Sequence, residues 1–346
     1  MTLSPTWQRL PRFLRILLKR LPMVFPQVLG VIFVTFMLVR LLPGDPALLM
    51  LGNMATEESI DNLREQLGLN DSLLTQFVGY LTGVIQGDLG ISLFTSNPVV
   101  VDLMERAPAT LEMIFYAMLL TVILGVTVAV LAVVHPGGIA DYVSRIYGMA
   151  AGAIPDFWVG LLLIFFLFAI LGVAPAPFGR IDPMIAPPPA VTGFYTFDAL
   201  IAGDLAALKS AAGRLILPVL TLTIVNAGAL MKMSKTAFAD IWRAEFIRHQ
   251  RASGLAQSRI IRNALRNSLP PVITLVGFLM GFLLGAAVLV ETIFSWGGLG
   301  QYAVQAVTYS DYPALQGFVL VAAVFILVVY LVVDILYELT DPRIQT

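Results

Sequence analysis

An all-α integral membrane protein with six spanning helices is the fold class this sequence predicts, and three observations predict it. The chain of 346 residues is 58% hydrophobic and only 12% charged, with a mean hydropathy of +0.86; a soluble domain carries roughly 25% charged residues. Six apolar runs approach or exceed the length needed to cross a hydrocarbon core. The charges are segregated: of 21 Lys and Arg, fourteen fall on segments assigned to one side, five on the other, and Arg40 and Arg145 within spans. With the basic side taken as cytoplasmic, both termini are expected inside.

The formal net charge of −1 points to no partner, and no nucleic-acid partner is implied. Cysteine is absent, which excludes disulfides, thiolate metal sites and a Cys nucleophile. His135 and His249, the two histidines, fall on expected cytoplasmic turns and read as surface residues rather than metal ligands.

Residues 1–21 carry Arg9, Arg12, Arg15, Lys19 and Arg20 with no acidic residue. That composition suits a signal-peptide n-region. The apolar run behind it is long enough to span and no small-residue cleavage site follows, so residues 22–42 are expected as an uncleaved first span. Arg40 is expected to snorkel to the interface. Residues 43–107 form an external loop whose residues 44–106 hold nine acidic and two basic side chains. Thr56 before Glu57 and Glu58 reads as an N-cap with an acidic first turn, followed by an Ile60, Leu63, Leu67 stripe ending at Gly68. A second amphipathic run carries Leu73, Leu74, Phe77, Leu81 and Ile85 and ends at Gly87. Asn97-Pro98 is expected to open a third short helix.

The second span is expected over 108–134, with His135-Pro136-Gly137-Gly138 as a tight inner turn. The third, 142–173, contains Pro155, which predicts a kink. Asp156 beside it is costly in lipid; it either caps N–H groups at the kink or faces a water-filled path. Residues 174–214 form a proline-rich outer loop. The fourth span, 215–231, leads into a basic segment, 232–271, and the fifth covers 272–291. Gly277, Gly281 and Gly285 recur there at four-residue spacing, as a packing face for another helix or as glycines merely tolerated. Glu291 closes that span and joins Asp156 as a candidate pathway or gate carboxylate. Trp296, Tyr302 and Tyr309 suit an interfacial belt, and the sixth span covers 314–337. A single domain is expected over about 100–340.

Lys232–Pro271 holds eight basic residues and the two acids Asp240 and Glu245, so it cannot lie in hydrocarbon. From Arg259 it shows helical order, with Ile260, Ile261, Ala264, Leu265 and Ser268 on one face and Arg259, Arg262 and Arg266 opposite. Gly254 either ends an earlier helix or admits a neighbouring backbone. Two short helices with a Gly elbow are expected, either as a docking element or as a solvated basic connector.

The runs Glu245-Phe246-Ile247-Arg248, Arg251-Ala252-Ser253-Gly254-Leu255 and Ala264-Leu265-Arg266-Asn267-Ser268-Leu269-Pro270 resemble the EAA loop of ATP-binding-cassette importer permeases. The dipeptide/oligopeptide/nickel branch is nearest, and the dipeptide permeases within it. The letters Glu-Ala-Ala are themselves replaced by Arg248-His249-Gln250. Gly44-Asp45-Pro46, Gly87-Asp88-Leu89-Gly90, Thr110-Leu111-Glu112, Pro155-Asp156-Phe157-Trp158, Glu291-Thr292-Ile293-Phe294, Asp311-Tyr312-Pro313, Gln316-Gly317 and Asp341-Pro342-Arg343-Ile344 follow in that family's order. Gly297 stands where the family usually has proline.

The resemblance implies a type I importer permease fold in a bacterial inner membrane and no bond chemistry by this chain. It implies a homologous second permease, two ATPase subunits that bind ATP and Mg, and an external solute-binding protein, all acting within membrane lipid. Glu245, Phe246, Arg248, Arg251, Ala252, Gly254 and Leu255 would carry the ATPase coupling. No cofactor would bind this chain itself. Peptide, nickel chelate, glutathione and opine-like solutes all remain open, because the binding protein sets selectivity. An ion-coupled transporter or channel is the rival reading, but charge within the spans is mostly limited to Asp156. An intramembrane enzyme lacks its signature: there is no His-Glu-x-x-His pair and no Ser-with-His arrangement.

Overall fold

The structure, a computed structural model, describes residues 12–41, 47–48, 56–66 and 68–340. The expectations that rest on Arg9, Gly44-Asp45-Pro46, Leu67 and Asp341-Pro342-Arg343-Ile344 lie outside the described residues. Among those described, helices make up all the regular structure apart from one isolated bridge, Ile91 with Pro98.

Helix α1, Arg12–Leu41, continues the expected first span backwards into its basic flank and contains Pro22 and Pro26. Two short helices follow. In α2, Glu57–Gln66, the Thr56 hydroxyl accepts from the Ser59 N–H at 3.3 Å, as the sequence reading has it. In α3, Leu73–Gln86, Ser72 caps the start and Gly87 closes the end at φ +79°, a left-handed geometry that glycine enters without steric cost.

Asn97-Pro98 does not open a separate short helix. It opens α4, Val99–Val134, whose 36 residues run through Pro108 into the second span. Helix formers such as Ala107, Ala109 and Leu111 flank Pro108 and carry the helix across it, while Asp102 ties down the entry. That carboxylate accepts from the Thr95 hydroxyl at 2.5 Å and from the Asn97 amide at 3.3 Å.

The third span is not one kinked helix. Helix α5, Ile139–Ala150, stops, residues 151–155 are non-helical, and α6, Asp156–Leu163, runs on into a π-helical turn, Ile164–Ile170. Two breakers act together here. Gly152 is left-handed at φ +89°, and Pro155 holds Ile154 out of the helical region. Proline therefore precedes a helix instead of bending one.

After α7, Tyr195–Ala202, Asp204 caps α8 by accepting from the N–H groups of Ala206 and Ala207 at 3.0 and 2.9 Å. Helix α8, Leu205–Trp242, overruns the expected fourth span at both ends. Its 38 residues give a length of roughly 57 Å, well beyond a hydrocarbon core of about 30 Å. The basic segment thus begins as helix. It continues as α9, Glu245–Ala252, and then joins the fifth span in one helix, α10, Gln257–Ile293, which contains Pro270 and Pro271. The expected pair of short helices is therefore one short helix between two long ones. Helices α11, Leu299–Thr308, and α12, Tyr312–Thr340, complete the chain.

Helices α4, α8, α10 and α12 are each long and apolar enough to cross a membrane, while Val24–Met37 and Asp156–Ile170 are shorter apolar segments. The main core lies where α4, α8 and α10 meet, around Met113, Ile114, Leu222, Leu230 and Leu283.

Candidate functional site

The basic segment folds on a small core of its own. Phe238 from α8, Ile247 from α9, and Ile260 and Ala264 from α10 are buried together, with Val130, Val133 and Val134 from the end of α4 against them. Helix α9 is amphipathic: Ile247 is fully buried, whereas Glu245, Phe246, Arg248, Arg251 and Ala252 are exposed. The Arg251 guanidinium sits 4.3 Å from the centroid of the Trp242 ring, and the Asn263 amide donates to Gln250 at 3.3 Å. Leu255 is half-buried against the core.

Gly254 has φ +73°, and nothing stands within 4 Å of where a Cβ would be. Within the chain this left-handed residue serves the turn that follows α9. Among the described residues Glu245 pairs with neither Arg248 nor His249. Six of the seven residues assigned to coupling are thus exposed, and Leu255 is half-buried against the small core.

An ion pair that sequence reasoning missed braces this region. The Lys235 ammonium on α8 donates to Asp141 on α5 at 2.7 Å and to the Ser144 hydroxyl at 2.8 Å. The Lys235 bond and the Gly137 N–H hold the Asp141 carboxyl below the usual carboxylate range. A depressed carboxyl contributes stability above its ordinary pKa of about 4 and loses it as pH falls through the folded value. A distance probe between the start of α5 and the C-terminal end of α8 should therefore lengthen only at strongly acidic pH. In Asp141→Asn that pH step should be absent.

The two candidate gate carboxylates sit in different surroundings. Asp156 lies in the first turn of α6, and its Oδ1 is buried with no hydrogen-bond partner among the described residues. Glu291 is fully buried at the end of α10. The Thr110 hydroxyl of α4 donates to its Oε1, and the Gln301 N–H of α11 donates to its Oε2 at 3.0 Å. Thr110 in turn accepts from the Leu299 N–H at 2.8 Å. Gly300 lies so close that a Cβ there would stand 3.1 Å from Oε2. Glu291 therefore latches α10, α4 and the start of α11 together, with both oxygens engaged.

Two residues along α4, Glu112 does the same for residues 180–196. It accepts from Arg180 at 2.6 Å, from the Thr196 N–H at 2.9 Å and from the Thr196 hydroxyl at 2.6 Å. Arg180 also donates to the Gly193 carbonyl at 2.7 Å and lies 3.7 Å from the centroid of the Tyr195 ring. A third clasp is Asp311, which accepts from the Ser92 hydroxyl at 2.5 Å and the Phe94 N–H at 3.1 Å. No periodicity or spacing marks these long-range partners in advance.

Within this chain the three glycines of the fifth span do not all pack against α12. A Cβ on Gly277 would collide with Val333 of α12, and one on Gly281 would rest 3.5 Å from Ile326, but Gly285 faces open space. Four residues overshoot a 3.6-residue turn by about 40°, so the third glycine has rotated away from α12. Gly277→Leu is expected to destabilise the chain by about 1–3 kcal/mol through overpacking. Gly285→Ala should stay within about 0.5 kcal/mol, and thermal unfolding of the two purified variants measures the difference.

With the geometry in view, comparison with known proteins is direct. Residues 121–346 match the binding-protein-dependent transport system inner membrane component family, and residues 13–114 match the N-terminal region of the membrane component of such systems. A D,D-dipeptide transport system permease of Escherichia coli K12 is 39% identical over 92% of this chain and 93% of its own length. The dipeptide transport system permease of Alkalihalophilus pseudofirmus is 36% identical over 95% and 98%. That of Escherichia coli K12 is 36% identical over 96% and 99%. The chain belongs to the inner membrane component family of binding-protein-dependent transport systems, as a multi-pass permease subunit whose ATP hydrolysis is left to partner ATPases.

Proposed function

We propose that this chain is one of two homologous permeases in an ATP-driven importer of di- and oligopeptides. In this reading it has a type I importer permease fold, crosses the membrane six times and keeps both termini in the cytoplasm. Peptide as cargo is supported by the names of the relatives. The segregation of Lys and Arg supports the orientation. ATP and Mg belong to two ATPase partners; this chain has no Gly-x-x-x-x-Gly-Lys-Ser/Thr loop to cradle phosphate.

One observation supports the coupling reading above the others: no flexible linker separates α9's supports from the spans. Helix α8 is continuous to Trp242, and α10 is continuous from Gln257 to Ile293. An ATPase that displaces α9 therefore levers two spans directly. At its far end α10 carries Glu291, bonded to α4 and α11, so movement at the cytoplasmic side reaches the outer latches. Between them Asp156, with its unpartnered oxygen, remains the candidate polar group of the pathway.

The test is Gly254→Trp and Glu245→Arg in the reconstituted transporter. A side chain at the left-handed position costs roughly 1–2 kcal/mol, enough to redirect α9 without unfolding the spans. Both variants are expected to insert normally and to lose uptake, together with binding-protein-stimulated hydrolysis. Unchanged assembly and uptake in both would remove coupling from this segment.

A further inference from the structure

We propose that α3 is an interfacial membrane helix, with Leu74, Val78 and Ile85 seated in the acyl boundary of the outer leaflet beside α1. Four observations meet here. First, the 14 residues of Leu73–Gln86 contain no charged side chain, although the loop around them is acidic. The nearest charges, Asp71 and Asp88, stand just outside its two ends.

Second, Leu74, Val78 and Ile85 fall within a sector of about 40° at 3.6 residues per turn, and they are 72%, 54% and 76% exposed. Such a stripe on the protein surface marks a contact face. The exposed Thr75, Gly79, Thr82 and Gln86 lie on a different face, polar but uncharged.

Third, the neighbouring face is fixed to α1 at a definite level. The Phe77 ring lies 5.5 Å from Phe33 and 5.4 Å from Phe36, and Tyr80 stacks on Phe36 at 6.0 Å, centroid to centroid. Both α1 residues belong to the apolar segment Val24–Met37. Phe36 stands five residues before the helix ends at Leu41, about 8 Å of rise inside it. Helix α3 thus rests against the membrane-crossing part of α1 instead of above it.

Fourth, the stripe continues an apolar surface of α1 itself, where Phe33 and Val34 are 48% and 55% exposed. A helix with one apolar face, one uncharged polar face and charges beyond its ends suits the plane of the interface. A soluble partner steered by charge would find none on this helix. The choice of leaflet rests on the proposed orientation; the location in the bilayer does not.

The absence of cysteine makes the test direct. Leu74→Cys, Val78→Cys, Ile85→Cys, Thr82→Cys and Gln86→Cys would each carry a nitroxide in the complete transporter, its partner subunits freed of cysteine, in phosphatidylglycerol-containing nanodiscs. Labels at 74, 78 and 85 are expected to collide with oxygen more often than with a water-soluble nickel chelate, and labels at 82 and 86 the reverse. Chelate access at 74, 78 and 85 equal to that at 82 and 86 would overturn the proposal. So would immobilisation of those labels only when the external binding protein is added, or their protection from both reagents without it. The unsubstituted transporter gives an independent reading. Lipids with a diazirine in the acyl chain should crosslink to the peptide containing residues 73–86, and an absence of adducts there, with adducts on α1, would count against it. Neither measurement depends on the transported solute.

Discussion

Arg180→Met is expected to destabilise the region around residues 180–196 by about 3–5 kcal/mol, the cost of removing one partner from a buried ion pair. Glu112 is 2% exposed and Arg180 11%, so the carboxylate left behind would be desolvated without its counter-charge. Thr196 would still donate twice to Glu112, which satisfies one oxygen and not the charge. The loss should also be local in its consequences. Arg180 joins residues 180, 193 and 195 of the segment between the π-helical turn and α8 to α4, so that segment should become protease-sensitive before the spans unfold. Thermal unfolding and limited proteolysis of the purified transporter measure both effects. Glu112→Gln combined with Arg180→Met should recover much of the loss, because a buried pair replaced as a unit leaves no orphan charge.

The contrast between this clasp and the spans explains what the sequence made legible. Apolar runs and charge segregation reflect a one-dimensional demand, that hydrocarbon accept no unpaired backbone or charge, and so they survive in the order of residues. The caps at Thr56 and the closure at Gly87 were legible for the same reason: each is satisfied within a few residues. Helix ends in the spans were not. Pro108, Pro270 and Pro271 lie inside continuous helices, whereas Gly152 and Pro155 break the third span. The company each proline keeps decides between those outcomes: helix formers flank Pro108, whereas a left-handed Gly152 stands just before Pro155.

The site shows the same division. Residues 245–255 are marked by their resemblance to the EAA loop alone; amphipathic spacing is read only from Arg259 onward, in what is the start of α10. The partners of Glu291, Glu112 and Lys235 lie 181, 68 and 94 positions away along the chain, and no local pattern carries such information. Glu291 illustrates the consequence. A carboxylate at the end of a span reads as a gate, yet in the folded chain Thr110 and Gln301 already occupy both of its oxygens.

Ile247→Ala is expected to release α9 from its supports while leaving the spans folded, and so to abolish transport in a chain that still inserts. Ile247 is the one buried residue of α9 and has no solvent exposure. Truncating a buried Ile typically costs about 2–5 kcal/mol. An eight-residue helix has little else to resist that loss, since short helices are marginal without tertiary packing. The remaining members of the small core, Phe238, Ile260 and Ala264, sit on α8 and α10, which are held by the main bundle, so the damage should stop at residues 245–255. Hydrogen exchange should accordingly rise in that segment alone, as for a locally opening unit. The exposed substitution Glu245→Arg, by contrast, should leave exchange unchanged and still weaken ATPase retention, because it alters the surface and not its support. Co-purification of the ATPase with each variant, read beside exchange, separates the two effects. Retention of the ATPase by Ile247→Ala with fast exchange across α9 would mean that the partner grips α8 or α10 directly, and the coupling surface would have to be sought there.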